Sequence, residues 1–121
     1  MTEPSKEIIE RLKSEHTDRS LMQIEIDHEG ETYYFLMTGP NEIEYKKFMT
    51  EVMDGKEKPK ESEQMDAIRD ATKRAALAQI RWPDRDQVKE LFNRFPGMSS
   101  RFREKLHEAA ATSAEVRSKK L

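Results

Sequence analysis

The chain has 121 residues and a formal net charge of −2, with 38% charged and 35% apolar residues. At 14.2 kDa and a mean hydropathy of −0.97, it has material for one small domain with a modest core and no more. It contains no cysteine, which excludes a disulfide framework, a thiol nucleophile and a zinc-thiolate centre. No apolar run approaches the roughly 20 residues of a membrane span. The opening MTEPSKEIIERLKSEH is a charged helical pattern without the apolar stretch of a signal peptide. A soluble cytoplasmic protein without a membrane partner is the expectation.

Charge is unevenly spread. Residues 1–62 hold 9 Lys/Arg against 15 Asp/Glu, whereas residues 63–121 hold 13 against 9. The two halves can attract each other within or between chains, or the basic half can meet an acidic partner.

In chain order, Ile8, Ile9 and Leu12 make a narrow apolar stripe that predicts a helical arm over residues 1–17. A single α+β domain is expected over 18–111. Met22, Ile24 and Ile26 alternate with Gln23, Glu25 and Asp27, and Tyr33 to Met37 is a continuous strand-favouring run. His28-Glu29-Gly30-Glu31 between them predicts a β-hairpin, which needs a helical cover or a second chain to be stable. Gly39-Pro40-Asn41 then opens a helix whose stripe is Tyr45, Phe48, Met49, Val52 and Met53. Asp54-Gly55 should end it, with residues 55–61 as an exposed linker. Ser62 is the expected cap of a helix running to about Arg81, with Met65, Ile68, Ala75, Ala76 and Ile80 on or near its buried face. Its alanines suit close approach by another helix. Asp84 and Gln87 read as the start of a helix burying Val88, Leu91, Phe92 and Phe95. After Pro96-Gly97 a last helix turns Phe102, Leu106 and Ala109/Ala110 inward, and residues 112–121 are expected to be a mobile tail. The fold class is α+β, a β-hairpin or small antiparallel sheet packed with a mainly helical C-terminal half.

Catalytic signatures are sparse. The sequence has no Gly-rich phosphate loop, nucleophile elbow, H-E-x-x-H or calcium-loop spacing. Glu104 and His107 form one Glu-x-x-His, where a di-metal bundle needs two such units and further carboxylates. Asp84 and Asp86 suit a helix start better than an acid/base pair. Tyr33 and Tyr34 lie in the acidic half, which disfavours base stacking beside phosphates. No catalytic residue, metal or cofactor is expected. Trp82, the only tryptophan, reads as a hinge anchor or a partner hot spot.

The stretch Ala75-Ala76-Leu77-Ala78-Gln79-Ile80-Arg81-Trp82-Pro83, followed by Val88, Leu91, Phe92, Phe95-Pro96-Gly97-Met98, Phe102, Leu106 and Ala109-Ala110, resembles the C-terminal half of tail assembly chaperones of long-tailed bacteriophages and prophages. The resemblance extends over roughly residues 31–111, including the Thr-Gly-Pro-Asn-Glu helix start. It implies a non-enzymatic protein of the host-cell cytoplasm that coats the helical tape measure protein and keeps it soluble until the tail tube forms. It also implies two product lengths made by ribosomal frameshifting, to which the coding of Lys119-Lys120 would be relevant. Amphipathic grooves and an edge-bearing hairpin suit both helix binding and homo-oligomer formation. Under this reading Tyr45, Phe48, Met49, Val52, Met53, Trp82, Phe92 and Phe95 form core or client surface. The alternatives are a phage accessory protein of another role, or a small regulatory protein binding nucleic acid through Arg94, Arg101, Arg103 and Lys105. The basic half carries little charge for the latter, so nucleic acid is not the expected partner.

Overall fold

Glu29 and Gly30 both take positive φ, +50° and +80°, in the two-residue turn between paired His28 and Glu31. This is the backbone that the right-handed twist of a tight hairpin requires, and glycine supplies it without steric cost. In a computed structural model describing residues 1–111 and 118–120, the turn joins β1 (Leu21–His28) to β2 (Glu31–Thr38) in an unbroken antiparallel register. The tail expected over 112–121 lies, apart from 118–120, outside the described residues.

Before the hairpin comes α1 (Lys6–Glu15), capped by Ser5; after it comes α2 (Glu42–Lys56). Then follow α3 (Glu61–Gln79), a short β3 (Ile80–Trp82), α4 (Arg85–Arg94), a 3-10 turn over Ser99–Arg101, and α5 (Phe102–Ala111). The sheet order is β1-β2-β3, with β3 antiparallel to β2. The molecule is therefore an α+β fold with a mostly helical C-terminal half.

Three boundaries differ from the sequence expectation. The first helix of the pair does not stop at Gly55. That residue is buried, and a Cβ there would lie 3.1 Å from Ala67 Cβ, so its bareness lets α2 and α3 touch. Close helix packing outweighs the roughly 1 kcal/mol propensity cost of a helical glycine. The expected linker 55–61 accordingly shrinks to residues 57–60. Ser62 falls inside the first turn of α3, whose N-cap position is Lys60 with no side-chain cap. Finally, α3 ends at Gln79 and Ile80–Trp82 become a strand. Pro83 biases Trp82 toward extended backbone, and the edge of β2 offers hydrogen-bond partners to a chain leaving the helix there.

The core lies between the sheet and the C-terminal helices. Phe35 of β2 meets Phe102 of α5 edge-on at 5.1 Å, and Phe92 of α4 sits 5.7 Å from Phe102. Val88, Leu106, Ala109 and Ala76 are buried around this trio, as the helical spacing anticipates, and Ala71 joins them. Met65, placed on or near the buried face by its spacing, is instead 65% exposed, because the inner face of α3 is formed by Ala71, Thr72, Ala76 and Gln79. The opposite face of β2 carries Leu36, which is buried outside the main core, as is Leu12 of α1. Among the helices, α1 alone contributes no residue to the main core. At the N-terminus, Met1 Sδ accepts the Tyr34 N–H at 3.4 Å.

Candidate partner-binding surface

The eight residues singled out from the sequence divide between interior and surface. Phe48, Val52 and Phe92 are buried in the core. Tyr45 is half-buried, with its hydroxyl 2.7 Å from His107 Nδ1, so α2 and α5 are clamped by a polar contact. Met49 is half-buried and Met53, one turn further, is 52% exposed. Trp82 is half-buried at the end of β3, paired with Leu36, and Phe95 is half-buried against His28 at 4.5 Å and Tyr33 at 5.7 Å. The structure thus brings Met49 and Met53 together on one flank of α2 and keeps Trp82 and Phe95 on other parts of the molecule. His107, the histidine of the Glu-x-x-His pair, serves the clamp to Tyr45. Among the described residues no group of three or more metal-ligating side chains assembles.

A polar junction absent from the sequence reading joins four elements. Arg19 donates to Glu44 Oε1 at 2.8 Å and to Gln79 Oε1 at 3.3 Å. Buried Gln79 also accepts from Thr38 Oγ1 at 2.9 Å, and Arg81 Nε donates to the same Thr38 oxygen at 3.1 Å. Glu44 closes a capping box, accepting the Asn41 N–H at 3.0 Å while Asn41 accepts the Glu44 N–H at 2.8 Å. Burial alone would raise the Glu44 carboxyl. The Asn41 N–H, the Gln79 amide and the Arg19 and Arg81 guanidinium groups outweigh it and hold the carboxyl below its ordinary range. Partial burial, followed by the like charge of Arg19, presses Arg81 below its usual value. The capping box had a local signal in the spacing of Asn41 and Glu44. The contacts of Arg19 and Gln79, 25 to 60 residues apart in sequence, had none.

Next to the junction, α2, α3 and α5 leave a cavity of about 180 Å³ floored by Phe48, Ala75 and Leu106. Its mouth is crossed by the Arg74–Glu51 ion pair at 3.0 Å. A larger groove, about 440 Å³, runs between α3 and the turn after α4. Met65, Ile68 and Pro96 give it apolar walls, and Arg69 and Arg103 stand on its rim. On the other side of the same turn, Arg94 and Arg101 line a groove of about 320 Å³ with His28 and Asp27. Arg69 is held by Asp66 at 2.7 Å and Arg94 by Glu90 at 2.8 Å. Arg101 and Arg103 have no carboxylate partner among the described residues. Lys105 is paired with Glu108 at 3.1 Å.

Residues 12–119 match a protein family described as a domain of unknown function, DUF6848, and the chain belongs to that family. No curated protein and no solved structure matches it. No helix among the described residues is long and apolar enough to cross a membrane.

Proposed function

We propose that this DUF6848 member is a non-catalytic chaperone that holds a helical protein client soluble, the client being the tape measure protein of a long-tailed phage or prophage. The observation that carries the reading is where apolar side chains face solvent. Apart from Met1 at the N-terminus, the exposed large apolar side chains among the described residues are Ile43, Met53 and Met65, 80%, 52% and 65% exposed, and all three lie on the α2–α3 pair. Met49 and Met53 are one helical turn apart and form a continuous flexible apolar strip. Methionine is the side chain best suited to packing against varied helical surfaces, since its unbranched thioether adapts to irregular partners. Helix-in-groove binding uses such strips, with apolar anchors from the client at the same spacing. The resemblance of Ala75–Ala110 to tail assembly chaperones supplies the identity of the client.

The test is affinity capture of the tagged protein from cells producing the particle, with bound proteins identified by mass spectrometry. Recovery of the tape measure protein with the wild type, lost with Met53→Glu/Met65→Glu, supports the reading. Recovery of nucleic acid, or of the protein alone, removes it.

A further inference from the structure

The geometry points to the groove between α3 and the Pro96–Gly97 turn as the seat for a helix that carries carboxylates on either side of an apolar stripe. This deepens the chaperone reading and rests on it. The walls are apolar side chains, Met65 and Ile68 of α3 and Pro96 of the turn, and Met65 stands largely in solvent. The rim carries Arg69, paired with Asp66 at 2.7 Å, on one side and Arg103 on the other. Arg103 has no carboxylate partner among the described residues, so its charge is available to a ligand. Apolar walls beside the Arg103 guanidinium, with Arg69 opposite in an exposed pair with Asp66 that a ligand carboxylate can exchange into, are complementary to Leu or Met side chains flanked by Glu or Asp, because arginine binds carboxylate through a planar pair of donors. The occupant is a helix, since it must bring its own backbone hydrogen bonds to a groove lined by side chains of α3, the turn and α5, including the hydroxyls of Thr72 and Ser100, with no strand edge to pair with. Protein is favoured over nucleic acid because the groove lining includes no aromatic ring on which a base would stack.

The probe is a fluorescein-labelled synthetic helix of about 20 residues, long enough to be ordered in water, with a Leu stripe flanked by Glu. A second peptide has Lys in place of each Glu. Fluorescence anisotropy should show the Glu peptide binding at least about tenfold more tightly than the Lys peptide, with affinity falling as salt is raised through the range where the Debye length drops below about 8 Å. Arg69→Glu/Arg103→Glu should abolish the preference while leaving the circular dichroism melt unchanged. Arg103→Gln should weaken it in part, and Lys46→Glu, on the exposed side of α2, should leave it intact.

Equal binding of both peptides overturns the proposal, as does Glu-peptide binding indifferent to Arg103. Two further outcomes also overturn it: a labelled single-stranded oligonucleotide competing for the same arginines, or salt-sensitive self-association lost in the Arg103 variants. Failure here is separable from failure of the chaperone reading. If client capture depends on Met53 yet survives Arg69→Glu/Arg103→Glu, the chaperone stands and the groove does not.

Discussion

Thr38, the last residue of β2, donates its hydroxyl to the side-chain oxygen of Gln79, the last residue of α3, at 2.9 Å, and both side chains are buried. This contact sits where the helix gives way to β3 and where the hairpin hands the chain to α2. Gln79→Leu keeps the volume and removes the acceptor shared by Thr38 and Arg19. The expected loss is about 1–3 kcal/mol, the usual cost of leaving buried polar groups without partners. Urea denaturation checks it, and an unchanged midpoint would mean that water replaces the amide without cost.

The same junction makes stability depend on pH through Glu44. Its carboxyl titrates lower in the folded protein than its ordinary 4.5. The stabilisation is therefore fully present above about that pH and is lost as pH falls through the lower folded value. Wild type should be more stable than Glu44→Gln at pH 7, and the gap should close in acid. Urea midpoints for both proteins at neutral pH and near pH 3 provide the comparison. A gap of the same size at both would show that the charge of Glu44 plays no part.

Two glycines separate close approach from simple turn chemistry. A Cβ on Gly39 would lie 2.5 Å from the Ala109 carbonyl oxygen, where the β2–α2 connection presses on α5. A Cβ on Gly97 would meet nothing within 4 Å. Gly39→Ala is expected to destabilise by about 1–3 kcal/mol through forced displacement of α5. Gly97→Ala should stay within about 0.5 kcal/mol of wild type. Thermal melts of the pair decide it, and equal effects would contradict the packing described.

Phe102 and Met53 form a second contrast. Phe102 is fully buried against Phe35 and Phe92, and truncation to Ala should cost about 3–5 kcal/mol, a large share of the stability of a small domain. Met53→Ala should change stability by no more than about 0.5 kcal/mol, because the side chain is half in water. Denaturant midpoints measure both.

The hairpin was legible in the sequence because Met22, Ile24 and Ile26 alternate with polar residues and a glycine stands at the reversal. The start of α4 was legible because Asp84 and Gln87 have capping spacing, and Asp84 Oδ1 indeed accepts the Gln87 N–H at 2.9 Å. The third strand was not, since three residues following a long helix carry no periodicity of their own and gain their conformation from the waiting edge of β2. Helix α2 outran its expected end because a glycine that reads locally as a stop is, in the fold, a contact with Ala67. On the surface, the stripe from Tyr45 to Met53 spans too wide an arc to be all inside or all outside. Only packing against α3 and α5 decides that Phe48 and Val52 go in and Met53 stays out. The two grooves beside Pro96 depend on arginines from α3, α4 and α5 meeting around one turn, which no local pattern encodes.

The most direct test of the chaperone reading is aggregation of the client itself. A helical fragment of the tape measure protein, diluted from denaturant, is followed by light scattering with and without an equal amount of this protein. Suppression of scattering by the wild type, together with loss of suppression in a folded Met53→Glu/Met65→Glu variant, is the predicted result. Scattering that the wild type leaves unchanged, or that the variant suppresses equally well, would contradict the account.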